Sequence, residues 1–415
     1  MSVTQVSPAG RVLSRLGALF AIGGGPGASR PGLSPAEQQA HDLAAGWMTD
    51  AGLEVCVDAA GNLLGRARGS APGLGEVWTG SHLDTVPDGG RFDGALGVVA
   101  GLEAVAAAHE QPHARTIAVV AFRDEEGCRF GHGYFGSRAL CGQVEAGELG
   151  VRDAAGMSIG QALSALGFPP QNLPSPGHGT GPLPGAFVEL HIEQGTSLAE
   201  RGLAVGVVSE IVAMAGLTAR FSGERGHAGG TAMTQRRDAL LAAARFVLGA
   251  HSLARSNASW RATAGELSVS NPASNVIPDE VSVGVDARAR SDQSLDQLLT
   301  RLQEAAAGSA RQAGCDWEAT LTWRERAVSM SPPVSRALAE AAGHQHQNAA
   351  GIAATSWAGH DAAILAAAGV PAGMLFVRAG RAGVSHSPFE IVDAADIAVA
   401  VAALTRALTS LAEPG

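Results

Sequence analysis

Basic and aromatic residues are scarce. Lys and Arg number 29 against 39 Asp and Glu, the formal net charge is −10, and aromatics make up 4% with a single Tyr. An acidic balance of this kind excludes the basic patches that a nucleic acid or an anionic membrane surface calls for. The four cysteines, Cys56, Cys128, Cys141 and Cys315, contain no CxxC pair, so neither a zinc knuckle nor a disulfide framework is expected. No apolar run approaches the roughly 20 residues that span a bilayer. Residues 1–10 lack the basic and apolar regions of a signal peptide, and a cytoplasmic protein is expected. The glycine runs at 23–25 and 89–90 have no GK[ST] after them and no strand-to-helix GxGxxG around them, which excludes a phosphate loop and a nucleotide cofactor.

What is present is enough apolar residue, 46% of 415, to fill two cores, since single cores rarely grow past roughly 250–300 residues. Ser34-Pro35-Ala36-Glu37 reads as a capping box with Pro at the first helical position, and the helix it opens stops near Gly52. Short strands at 53–58, 62–66 and 76–81 follow, then a helix at 94–109 and a strand at 116–122. A Gly- and Pro-rich stretch at 142–185, with a short helix at 158–166, leads into a strand at 187–191. From 205 the order becomes strand (205–221), helix (231–249), strands (264–270 and 281–289), helix (293–312) and strand (317–324), a β-α-β-β-α-β unit. Helices at 334–342 and 361–368, a strand at 372–377 and a helix at 394–411 close the chain. The fold class is therefore α/β, with a discontinuous α/β domain (1–209 and 325–415) interrupted by a ferredoxin-like α+β domain (210–324).

His82, Glu125, Glu126, His191 and His386 each fall just beyond, or at, the carboxyl end of an apolar strand, the edge where open α/β sheets bind ligands. Imidazole and carboxylate donors suit Zn, Mn, Co or Ni, not thiolate-bound soft metals. Asp93 lies between glycines that allow close backbone approach, which suits a carboxylate shared between two ions.

The run Gly80-Ser81-His82-Leu83-Asp84-Thr85-Val86, then Gly89-Gly90-Arg91-Phe92-Asp93-Gly94 and Asp124-Glu125-Glu126-Gly127-Cys128-Arg129-Phe130, resembles the hydantoinase/carbamoylase branch of the M20 metallopeptidase-like amidases. Further matches follow in order at 189–195, 226–229, 275–278, 286–288, 358–362 and 384–388, so the resemblance spans about 40–400. It implies a zinc-peptidase-like catalytic domain with a lid and dimerisation domain inserted in it, hence a homodimer. It implies His82, Asp93, Glu126, His191 and His386 as ligands of two divalent ions, with Asp93 bridging, Glu125 as catalytic base, and Asp84 as the carboxylate that orients His82. On the lid it implies His227 as a donor to the developing oxyanion, and Arg288 and Asn275 as contacts to a substrate carboxylate. Gln194 and Gly359 match substrate-contacting positions near the metals.

The implied reaction is hydrolysis of the carbamoyl C–N bond of an N-carbamoyl-L-amino acid, giving the amino acid, ammonia and carbon dioxide. Allantoate, β-ureidopropionate and a specialised amide are alternative substrates, and a non-catalytic scaffold dimer is the remaining reading. Taken singly, several residues have plainer roles. His227 would cap a helix beginning near Thr231, Arg288 would pair with Asp286 or Asp292, and His344 and His346 sit in a polar, solvent-exposed loop. His360 would support the His386 region by hydrogen bonding. The chain departs from the resemblance at Trp357, where glycine is common, at 228–233, and at Arg378, where proline is often found. None of these is a metal-ligand position.

Overall fold

The computed structural model describes residues 7–71, 73–175, 177–343 and 353–413; His344 and His346 lie outside them. One compact unit ends at Ser209 and resumes at Ser329, and the other runs from Glu210 to Val328.

The first unit opens with α1 (Pro8–Phe20), where Ser7 accepts the Gly10 N–H and Pro8 starts the helix. Its apolar residues at 9, 12, 16 and 19 are buried. That Ser-Pro start and helical spacing were legible in the sequence, yet no helix was expected there. After it come α2 (Pro35–Asp50), β1 (Glu54–Val57), β2 (Leu63–Ala67), β3 (Val77–His82), α3 (Ala95–His109), β4 (Ile117–Phe122), α4 (Phe135–Leu140), α5 (Ile159–Ala165), β5 (Ala186–Ile192), α6 (Ser197–Glu200) and β6 (Val205–Ile211).

The second unit holds β7 (Ala213–Ser222), β8 (Gly226–His227), α7 (Ala239–Arg255), β9 (Trp260–Val269), β10 (Val276–Ile277), β11 (Glu280–Ala289), α8 (Asp292–Ala313) and β12 (Asp316–Glu325). Through β13 (Val328–Ser329) the chain returns to α9 (Pro332–Gly343), β14 (Ala353–Ser356), α10 (Asp361–Ala367), β15 (Ala372–Val377) and α11 (Ala394–Ala412).

The main sheet runs β1-β2-β4-β3-β5-β15-β6, with β14 also on β6. Its centre, β4-β3-β5-β15, is parallel. Every residue of those four strands is buried, the continuous apolar reading expected of parallel strands covered on both faces. Helices α1, α3, α9 and α11 share one hydrophobic core with the sheet. Because α3 contacts β3, β4 and β5 as well as α1 and α11, it is apolar nearly all round.

The 19-residue α11 is long and apolar enough to cross a membrane, contrary to the expectation that no such run exists. Ile397, Val401, Leu404 and Leu408 bury one face of it in the first core, as a core helix does.

In the second unit, antiparallel strands in the order β12-β7-β11-β9 share a core with α7 and α8, the arrangement of a ferredoxin-like unit. The strand expected at 205–221 is two strands, broken at Val212, belonging to two different sheets. The helix expected from 231 starts at Ala239 instead, where Asp238 accepts the Leu240 and Leu241 N–H groups at 3.0 and 3.1 Å.

Candidate metal centre

The chain passes from β3 to β4 on one side and then returns to place β5 on the other side of β3. Such a reversal opens a crevice at the carboxyl ends of the strands. His82 ends β3 and His191 lies one residue from the end of β5, so the two imidazoles stand over that crevice, 6.1 Å apart between ring centroids. The segment after β4 contributes Glu125 and Glu126, the loop before α3 contributes Asp93, and the loop after β15 contributes His386.

Asp93 is the hub. Its Oδ1 lies 3.0 Å from His191 Nε2 and 3.8 Å from His82 Nε2, and its Oδ2 lies 3.3 Å from His386 Nε2. His386 Nε2 is also 3.4 Å from Glu126 Oε2. Two donor groups result, His82–Asp93–His191 and Asp93–Glu126–His386, each with its ligand atoms within 4.8 Å of one another and both using Asp93. Glu125 stands beside them, its Oε2 3.7 Å from His82 Nε2. All five residues expected as ligands, and the expected base, are thus brought together.

A layer of hydrogen bonds behind these groups sets their direction. His82 Nδ1 lies 3.1 Å from the Asp84 carbonyl and 3.3 Å from Asp84 Oδ1, and His191 Nδ1 lies 2.9 Å from the Ile192 carbonyl. Each imidazole therefore turns Nε2 toward the cluster. Asp84 also accepts the backbone N–H groups of Glu125 and Glu126, each at 3.1 Å, so one carboxylate orients both a histidine and the paired glutamates.

Glu390 was not singled out in the sequence. Its Oε2 accepts the Phe92 and Asp93 N–H groups at 2.8 and 3.2 Å, and its Oε1 accepts the Ser385 hydroxyl at 3.0 Å, tying the Asp93 loop to the His386 loop. The two loops lie almost 300 positions apart, and the only local signal is a glutamate four residues after His386. Gln194, expected at the substrate, donates its amide to Asp93 Oδ2 at 2.9 Å and to Ser385 at 3.1 Å. The ring of His360 packs edge-on against His191, with centroids 4.5 Å apart, and its Nε2 pairs with Ser356 at 2.8 Å. It therefore supports the His191 side of the cluster. Gly359 precedes it, partly buried, in the loop between β14 and α10.

Burial and close pairing compete over the charges here. Burial would raise the Asp93 carboxyl, but hydrogen bonds to His191 and His386 and the nearby imidazoles hold it well below the usual range. Burial raises Glu125 well above that range, opposed by His82 and reinforced by Glu126. Glu126 is pushed up to about 7 by burial and by Asp93. His386 rises to about 9 through its hydrogen bond to Asp93. Buried carboxylates crowded this closely around imidazole nitrogens are the donor set of a borderline cation, and the residues fit divalent metal ions.

Gly94 has φ +59°, and a Cβ built there would stand 2.4 Å from the His82 ring. Gly94→Ala is expected to displace the His82 imidazole and lower metal affinity by about tenfold or more, read by metal analysis after dialysis. Wild-type metal content in the variant would show that the His82 ring has room to move.

The second unit carries the other three expected residues. His227 is exposed, and its Nδ1 accepts the Gly229 and Gly230 N–H groups, each at 3.0 Å. The proton is thereby left on Nε2, so the outward nitrogen is a donor. His227 caps no helix at Thr231, because none starts there. Asn275 adjoins it: its carbonyl accepts the Ala228 N–H at 3.0 Å, and Val276 pairs with His227. Arg288 lies on β11, in the four-stranded sheet, with its fork on Asp286 through Nε (2.7 Å) and Nη2 (2.9 Å).

Residues 78–410 match the model of peptidase family M20/M25/M40. An N-carbamoyl-L-amino acid amidohydrolase of Geobacillus stearothermophilus is 38% identical over 411 residues, covering 97% of this chain and 98% of its own. An allantoate deiminase of Arabidopsis thaliana is 33% identical, covering 91% of this chain and 77% of its own. The crystal structure of a hydantoinase/carbamoylase family amidase from Burkholderia multivorans superposes with a TM-score of 0.86 at 33% identity, over 98% of each chain.

Proposed function

The chain belongs to peptidase family M20/M25/M40, and on that premise we propose that it is a binuclear amidohydrolase that cleaves the carbamoyl C–N bond of an N-carbamoyl-L-amino acid. The observation that carries this reading is Asp93, whose two oxygens face two separate sets of ligand atoms. The N-carbamoyl amidohydrolase relative, similar along almost its whole length, supplies the substrate class.

In this reading His82, Asp93 and His191 would hold one ion, and Asp93, Glu126 and His386 the other, as Zn2+ or as Mn2+, Co2+ or Ni2+. Ions bound there would polarise the carbamoyl carbonyl and lower the pKa of a water. Glu125 takes the proton of the attacking water on its carboxylate and returns it to the leaving nitrogen. Burial holds its carboxyl above the usual carboxylate range, and its Oε2 stands 3.7 Å from His82 Nε2, beside the place such a water would occupy. One water is consumed; ammonia leaves, and the remaining carbamate breaks down to the amino acid and carbon dioxide.

His227, with Nε2–H outward, serves as the oxyanion donor. The family resemblance gives Arg288 and Asn275 as contacts to the substrate carboxylate and Gly359 as a substrate contact, and Gln194 steadies the Asp93 carboxylate. A cytoplasmic homodimer completes the reading.

Ammonia release from a panel of N-carbamoyl-L-amino acids, β-ureidopropionate and allantoate, with and without chelator, tests it. Chelator-sensitive turnover of carbamoyl amino acids supports the proposal. Turnover of allantoate alone selects the second reading, which the allantoate deiminase relative favours. A chain that binds ions and hydrolyses no ureido or amide compound would be the scaffold.

Arg288 bears on the substrate's carboxylate. Its guanidinium already has a bidentate partner in Asp286, with both side chains about one-third exposed, so the pair is preorganised and accessible. Arg288→Ala is expected to lower kcat/KM for carboxylate-bearing substrates by about 10- to 100-fold, the range for losing hydrogen bonds to a charged group. The corresponding amide, with no carboxylate, should be affected far less. Equal losses on both substrates would remove Arg288 from carboxylate recognition.

A further inference from the structure

The Ser34–Glu37 motif is only half a capping box. Ser34 Oγ accepts the Glu37 N–H at 3.2 Å, as the motif requires. The Glu37 carboxylate, however, reaches past the helix. Its Oε2 accepts the Leu33 N–H at 2.7 Å and the Arg123 Nη1 at 3.2 Å, and its Oε1 accepts the Asp124 N–H at 2.9 Å. The side chain is fully buried.

Both backbone groups on Glu37 belong to residues in the left-handed region, Leu33 at φ +52° and Asp124 at φ +50°. Neither is glycine, so each conformation costs free energy and needs outside contacts to persist. Asp124 is also packed against Gly32, where an added Cβ would stand 1.8 Å from its carboxyl oxygen. The next two N–H groups, those of Glu125 and Glu126, are accepted by Asp84. Three consecutive N–H groups are thus held by two buried carboxylates, and the turn they fix presents Glu125 and Glu126 to the cluster.

We infer that Glu37 is a positioning residue: through the Asp124 N–H it sets the turn that aims Glu125 and Glu126 at the substrate and the metal site. This rests on the reading of Glu125 as base and Glu126 as ligand. Arg123 completes the brace. Its Nε donates to the Gly61 carbonyl at 2.7 Å, and its other nitrogens pair with Glu37 and Gln38, so the carboxylate is anchored from behind.

Glu37→Gln keeps the shape but places an amide NH2 against a backbone N–H or a guanidinium, whichever way it turns. Glu37→Asp keeps the charge and the Ser34 cap but is one methylene too short to span both N–H groups. The test uses the full-length, Zn2+-loaded chain, titrated with a chromogenic chelator. In both variants one ion, the one held by Glu126, should be released with an affinity about tenfold or more weaker than wild type, while the other is released as in wild type. In parallel, kcat should fall about tenfold or more with KM within about twofold.

A merely structural glutamate would lower Tm and weaken both release steps together, and that outcome overturns the inference. So does a folded variant, either one, with both affinities and kcat at wild-type values. If the wild type turns over no carbamoyl substrate, the proposed activity fails, and the selective release of one ion still decides the role of Glu37.

Discussion

Glu125→Gln is expected to lower kcat about 10²- to 10⁴-fold, the span ordinarily contributed by a general acid–base group, while the variant keeps its full complement of metal. Glu125 Oε2 stands 3.7 Å from His82 Nε2, beside the donor groups but belonging to neither of them. Its backbone N–H is fixed by Asp84 at 3.1 Å, so the isosteric amide has the same backbone to hang from. The amide cannot take a proton from water or return one to nitrogen, and this loss falls on the chemical step instead of on binding. Metal analysis and ammonia release on the same preparation separate the two effects. A variant with wild-type kcat would strip Glu125 of its role, and one that had lost its metal would make Glu125 a ligand.

Most of the cluster was legible because His82, Glu125, Glu126, His191 and His386 sit at or beyond the carboxyl ends of buried parallel strands, while Asp93, in the loop before α3, was marked by its flanking glycines and by the family resemblance. His82 and Asp84 are two residues apart, and Glu125 and Glu126 are adjacent, so the motifs that carry the resemblance are local ones. The residues that hold the cluster in shape were not legible. Glu390 bonds to backbone N–H groups almost 300 positions away, and no local pattern announces such a contact.

Glu37 was read as one half of a local cap because Ser-x-x-Glu is a local signal, and the signal was correct for Ser34. Its carboxylate instead found Asp124, a tertiary partner 87 positions on. Arg288 shows the opposite case. Asp286 was one of two partners the sequence offered, and the structure selects it over Asp292 because residues two apart on β11 share a face. The late start of α7 has a local cause that apolar periodicity overrode: Asp238 caps it, and the preceding residues carry two arginines and no buried face.

Asp93→Asn should have the larger consequence, because it touches both donor groups at once. Each carboxylate oxygen faces a different set of imidazoles, and a carboxamide offers one oxygen and one NH2. If the oxygen stays toward His191, at 3.0 Å in the native chain, the NH2 points at His386 and Glu126, and the second group loses a ligand. The opposite orientation breaks the His82–His191 group instead. Gln194, which donates to Oδ2 at 2.9 Å, favours keeping an oxygen there. The His82–His191 group is therefore the one expected to empty. Polarisation of the carbonyl and activation of water contribute several kcal/mol together, and about 1.4 kcal/mol corresponds to tenfold in rate. Activity should fall by about 10³-fold or more, with at least one ion lost. Metal stoichiometry and ammonia release again read the two effects separately, and here they should move together, unlike in Glu125→Gln. A variant that retained two ions and a tenth of the activity would mean that Asp93 does not bridge, and the two donor groups would have to be treated as independent sites.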